Sequence, residues 1–208
     1  MVSVFRKLKE KFGEYRLKYG PLVKLLEKSE KIKRFLENRP LLKPILDDLK
    51  PDALTPDVFD DEFWKELASA EKDTEILILS PFLSEDRVNR YLEAIRRAVK
   101  NGVMVEIQTL DPEFWRKKEK RQKHQELVEQ LKDAGAYVDL RKNMHEKAVI
   151  IRSEKKKIAY FGSLNVLSKT ELEKGGDYML KFTNPEIVDA LYTFIRTLRE
   201  HSEEVAGE

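Results

Sequence analysis

Met144-His145-Glu146-Lys147-Ala148-Val149-Ile150-Ile151 and Tyr160-Phe161-Gly162-Ser163-Leu164-Asn165 are the two stretches on which the fold turns. Each is a short apolar run, and a tight polar turn over residues 153–157 separates them, so they read as adjacent strands. In an extended strand, positions i and i+2 point to the same face, so His145 and Lys147 would address one ligand together. A nucleophile and a cation then face one anion, with a Gly-Ser-x-Asn at the end of the next strand. A lone His-x-Lys means little in a lysine-rich chain. The weight lies in the order of the pieces, each on a strand and flanked by long helical segments.

Working outward, the spacing predicts a helix over 57–70 containing Phe59, Phe63, Trp64 and Leu67, then an apolar strand over 75–79 running into Ser80-Pro81. A helix over 88–99 follows, Asn101-Gly102 turns the chain, and 103–107 is a second strand. A long helix over 112–134 comes next, with Asp111-Pro112 as its N-cap and first residue, then a short strand at 136–140. After the motif strands come a loop over 167–176, a strand over 177–182 and a last helix over 185–201. Trp64 is assigned to packing. Strands alternating with helices imply an α/β fold with a mixed, largely parallel sheet covered by helices on both faces. Residues 1–55 form a separate reading: apolar residues at helical spacing, punctuated by Gly20-Pro21 and Arg39-Pro40, predict an added α-helical region, with Pro51 and Pro56 in the connector to a domain over 56–208.

With 208 residues the chain is long enough for one substantial core. It has no cysteine, which excludes disulfides, thiol catalysis and thiolate metal sites. No apolar run approaches the ~20 residues of a membrane span, and the N-terminus lacks the apolar core of a signal peptide, so a cytoplasmic location without membrane attachment is expected. Charged residues make up 38% of the chain, a balance found in thermostable proteins that rely on ion-pair networks. The net charge of +2 hides an asymmetry, because residues 1–50 carry 14 Lys/Arg against 7 Asp/Glu. Such a basic segment suits nucleic acid or acidic lipid, although a solvated helical face is the commoner meaning.

The two motif segments resemble the signature of the phospholipase D superfamily, His-x-Lys-x4-Asp-x6-Gly-Ser-x-Asn. His145, Lys147, Gly162, Ser163 and Asn165 fit it; Arg152 stands where the signature has Asp, and nine residues rather than six separate it from Gly162. The resemblance spans about residues 57–201 and implies the superfamily's single-motif fold. It implies that His145 attacks phosphorus to give a phosphohistidine, that Lys147 and Asn165 hold the non-bridging oxygens, and that Ser163 adds a hydrogen bond. Asp177 matches the carboxylate that orients the histidine ring, though a turn residue after two glycines is an equal reading; Glu171 and Glu173 are weaker candidates. The reaction needs a second histidine. His124 sits in a charged helix and His201 in a terminal tail, so both read as solvated. Single-motif members instead pair about a two-fold axis, which implies a homodimer sharing one site. No metal and no cofactor is implied. Arg152 either adds a substrate contact or closes an exposed hairpin, with Glu154 as a substitute brace.

In the fold that the resemblance implies, the basic residues Arg116, Lys117, Lys118, Lys120 and Arg121 would lead from the site rim and could track a phosphate backbone, with Phe114 or Trp115 available for base stacking. A solvated face and core aromatics are the plainer alternative. Short single-motif relatives are typically nucleases, and the motif phrases are similar to phospholipase-D-like domains attached to some DNA helicases. The expected activity is therefore a metal-independent phosphodiesterase on DNA or RNA, an endonuclease, working alone or with a helicase or other DNA-processing partner. A weakened nucleic-acid-binding module is the alternative, and a phospholipase or phosphatidyl transferase the third.

Overall fold

The computed structural model describes residues 52–168 and 177–204, so the helices expected before residue 51, and Glu171 and Glu173 with the loop around them, lie outside the described residues. Seven strands form one sheet: β1 (Asp52–Leu54), β2 (Glu75–Leu79), β3 (Met104–Leu110), β4 (Tyr137–Arg141), β5 (Ala148–Arg152), β6 (Lys157–Gly162) and β7 (Met179–Phe182), in the order β1-β7-β6-β5-β2-β3-β4. Among the described residues four α-helices accompany them: α1 (Pro56–Ala68), α2 (Glu85–Lys100), α3 (Lys118–Asp133) and α4 (Pro185–Glu204).

The sheet is mixed, as expected, but parallel pairing is confined to β2–β3 and β3–β4; the pairings of β5, β6, β7 and β1 are antiparallel. Connection length explains the division. Helices α2 and α3 are long enough to carry the chain back for a parallel strand, whereas the short turn between Arg152 and Lys157 permits only a hairpin. Residues 52–54, expected as part of a connector, are the edge strand paired with β7.

Apolar alternation distributes the helices. Ile76, Ile78, Val105, Ile107, Val149, Ile151 and Tyr160 pack against α1, α2 and α3 through Phe59, Phe63, Tyr91, Ile95, Leu127 and Leu131. Leu77, Leu79, Ala148, Ile150 and Ala159 pack against Val188 and Ile195 of α4. Covered on both faces, the central strands read as unbroken apolar runs.

Two side chains depart from expectation for one reason. On α1 the inward stripe is Phe59, Phe63 and Leu67, each four residues on from the last, so Trp64 falls off it and is 45% exposed rather than packed. On α3, His124 lies on the stripe with Leu127, Val128 and Leu131; it is buried, and its ring Nε2 is 2.8 Å from the Leu110 carbonyl. His201 falls in the last turn of α4, its side chain outside the described residues.

The long helix expected from residue 112 is two pieces. Asp111 accepts from the Glu113 amide and caps a single 3-10 turn, Pro112–Phe114. Trp115 and Lys117 are extended, and Arg121 reaches back to the Trp115 carbonyl at 3.2 Å, satisfying backbone that a continuous helix would have paired.

Candidate active site

The register of the sheet puts the motif at one edge. Leu79 pairs with Ala148, Ala148 with Phe161, and Gly162 with Met179. The ends of β2 and β6 and the starts of β5 and β7 therefore share an edge, which is also where the parallel strands β3 and β4 end. Crevices outside the carboxyl ends of parallel strands are the usual ligand sites of such sheets.

His145 and Lys147 do not lie within β5, which begins at Ala148; they occupy the segment leading into it. The pairing extends one step beyond the strand, since the Gly162 amide donates to the Lys147 carbonyl at 3.2 Å. Lys147 is buried, and its ammonium donates to the His145 carbonyl at 2.8 Å, a bond that fixes the bend carrying the histidine. The His145 amide donates to the Glu146 carboxylate, and His145 is exposed. A buried cation thus stands behind an accessible imidazole.

Gly162 is required by contact. A Cβ there would lie 2.0 Å from the Tyr178 carbonyl oxygen and 2.9 Å from the Met179 Cα, so any side chain would force β6 away from β7. Immediately after it, the Ser163 amide donates to the Tyr178 carbonyl, the Ser163 hydroxyl donates to Asp177 at 2.7 Å, and the Tyr178 amide donates to that hydroxyl. Ser163 and Asp177 therefore come together, with the serine proton directed at the carboxylate. Asn165 is buried, and its side-chain oxygen has no hydrogen-bond partner among the described residues.

The Asn165 turn is fixed by residues that the motif does not name. Ser80, fully buried at the end of β2, accepts from the Leu167 amide and donates to the Phe82 carbonyl, while the Ser84 amide donates to the Leu167 carbonyl. Arg87 donates through Nε to the Val166 carbonyl at 3.1 Å and forks its terminal nitrogens onto Asp60, which also accepts from the Tyr91 hydroxyl at 2.8 Å. Burial, followed by the Asp60 charge, pushes the Tyr91 hydroxyl far above its usual range. A polar residue directly after the apolar run of β2 is the signal that would have found Ser80.

Arg152 is not at this edge. It ends β5 four residues beyond Ala148, opposite Glu75 in register, and ion-pairs with Glu75 and Asp189 at 3.3 Å each, its guanidinium 3.9 Å from the centroid of the Tyr192 ring. A substrate contact at the motif edge is excluded by position. Glu154 is exposed in the same distant turn and braces nothing at the motif. The basic stretch follows β3, which ends on the motif side of the sheet; Arg116, Lys117, Lys118 and Lys120 are exposed, while Arg121 is engaged by Glu113 and the Trp115 carbonyl.

No group of three or more His, Cys, Asp or Glu side chains suited to a metal occurs among the described residues. No helix among them is long and apolar enough to cross a membrane.

The family model described as cardiolipin synthase, phospholipase-D-like domain matches residues 63–198. None of the curated proteins matches the sequence. Among solved structures, a phospholipase D family member, Nuc, from Salmonella typhimurium is similar with a TM-score of 0.50 and 15% identity over 71% of this chain and 93% of that one. Polyphosphate kinase from Porphyromonas gingivalis is similar with a TM-score of 0.56 and 20% identity over 80% of this chain, which corresponds to 28% of the kinase. At these identities the two structures speak for the fold alone.

Proposed function

Because the chain belongs to the phospholipase D superfamily, we propose that it is a metal-independent phosphodiesterase that cleaves DNA or RNA through a phosphohistidine at a site shared by two protomers. One observation carries this: an exposed His145 backed by the buried Lys147, with the buried Asn165 following the adjacent β6 at the same edge of the sheet.

His145 attacks phosphorus while the bond to the leaving alkoxide breaks, and the same histidine of the second protomer donates the proton. Water then attacks the phosphohistidine, the second histidine takes its proton, and His145 is released. When phosphate enters, Lys147 exchanges its bond to the His145 carbonyl for a non-bridging oxygen, and the Asn165 amide donates to another. Asp177, already bonded to Ser163, orients the attacking ring. Dimerisation supplies the second histidine, because His124 is buried against Leu110.

The test is turnover of bis-(p-nitrophenyl) phosphate by protein whose mass in solution is measured in parallel. We expect a dimer, with turnover abolished in His145→Ala. An active monomer, or an unaffected variant, would refute the shared-histidine mechanism. A phosphatidyl transferase is the second reading, favoured by the description of the matched family model; phosphatidylglycerol turnover without nucleic-acid cleavage would select it.

A further inference from the structure

Phe82, Phe114 and Trp115 form an aromatic patch at the motif edge but outside the motif. Phe82 follows β2, and Phe114 and Trp115 follow β3, so the patch stands beyond the ends of the two strands next in order to β5, on the side of the sheet where β5 starts. The Trp115 ring contacts Phe82 at 5.6 Å and Phe114 at 5.4 Å, the second pair nearly perpendicular. Phe114 is held in place, with its amide bonded to the Asp111 carbonyl at 2.9 Å in a turn capped by the Asp111 side chain, and yet it is 51% exposed. Cations follow it along the chain: Lys120 Nζ lies 5.3 Å from the centroid of the Trp115 ring, and Arg116, Lys117 and Lys118 are exposed.

We infer that this patch is a stacking platform for an unpaired base, so that the site takes single-stranded nucleic acid in preference to duplex. The inference deepens the proposed function and rests on it. A base offers a free π face only when it has left its stack; inside a duplex both faces are covered, and Phe114 has nothing to receive. The flanking cations follow the phosphate backbone whatever the sequence. A phospholipid headgroup has no planar base to stack on Phe114.

The experiment measures fluorescence anisotropy in the His145→Ala background, which leaves the probe uncut. The probes are labelled single-stranded DNA and RNA of about 12 nucleotides, an abasic strand of equal length, and a duplex. We expect at least one intact single strand to bind about tenfold more tightly than the abasic strand and the duplex. Phe114→Ala and Phe114→Leu should both remove that advantage, the second because it keeps apolar bulk without a π face, and neither should change binding of the abasic strand. Equal binding of intact and abasic strands, tighter duplex binding, or an advantage that survives both substitutions overturns the inference. Failure of every probe to bind also overturns it. Reporter turnover then separates the two levels: if it persists and depends on His145, phosphodiester cleavage stands without the platform; if it is absent, both fall.

Discussion

Arg152 stands where the superfamily signature carries aspartate, and its surroundings explain why the exchange leaves the motif edge intact. Its partners are carboxylates, Glu75 across the strand pair and Asp189 on α4, with the Tyr192 ring beneath. Restoring the signature with Arg152→Asp would set a third carboxylate against two. We expect a loss of about 1 kcal/mol or more in urea unfolding and no gain in turnover. A more active variant would mean that Arg152 had been a defect in the site. His124 makes the second prediction at this scale. Burial lowers its pKa, partly countered by the bond to Leu110 and the charge of Asp111. With the folded value below the unfolded ~6.5, the unfolded chain binds more protons; the stabilisation is therefore full above ~6.5 and is lost as pH falls through the lowered value. Stability should decline over that acid range in wild type, and His124→Gln should flatten the decline; identical pH profiles would show that the histidine is not the titrating group. His145, Lys147, Gly162, Ser163 and Asn165 were legible in sequence because the motif packs them into two short segments. The setting of Arg152 was not, because its partners come from distant elements. His124 was legible in principle, being on the stripe of Leu127, Val128 and Leu131, but the charged residues around it masked the period.

Helices α1 and α2 reach the site through one buried pair. Arg87 of α2 holds Asp60 of α1 and, through Nε, the carbonyl beside Asn165. Removing the arginine leaves the buried Asp60 with the Tyr91 hydroxyl and the half-exposed Arg90 at 3.7 Å, so Arg87→Met should cost about 3 kcal/mol in urea unfolding. Arg87→Met combined with Asp60→Leu should recover much of that cost, because no charge is then stranded. Failure of the double variant to recover would place the cost in the lost Val166 bond instead. Element types and their order were readable from periodicity, most cleanly in β2, whose five residues match the expected strand. Boundaries failed where local hydrogen bonds outvoted the pattern. Apolar and charged spacing runs smoothly from residue 112 to 134, but the Asp111 cap and the Arg121 reach-back split the segment into a turn and a helix. The edge strand β1 was hidden because three residues between prolines carry no period; only pairing with β7 makes them a strand.

For the whole molecule, sequence alternation gave the layers, a sheet with helices on both faces, but not the proportion of parallel pairing, which follows from where β5 enters between β6 and β2. That entry brings an antiparallel hairpin beside a parallel unit and so places the start of β5 at the carboxyl ends of β2, β3 and β4. The motif, the Ser80 and Arg87 supports, and the aromatic and basic rim all meet at this edge. The central claim is that His145 carries out metal-independent cleavage of a nucleic-acid phosphodiester, and the most direct measurement is cleavage of labelled single- and double-stranded DNA and RNA by wild type and His145→Ala, each with EDTA present. The account predicts cutting that survives EDTA and disappears in the variant. Cutting abolished by EDTA, or retained by His145→Ala, would contradict the mechanism, and no cutting of any of the four by folded dimeric wild type would contradict the assignment of a nuclease.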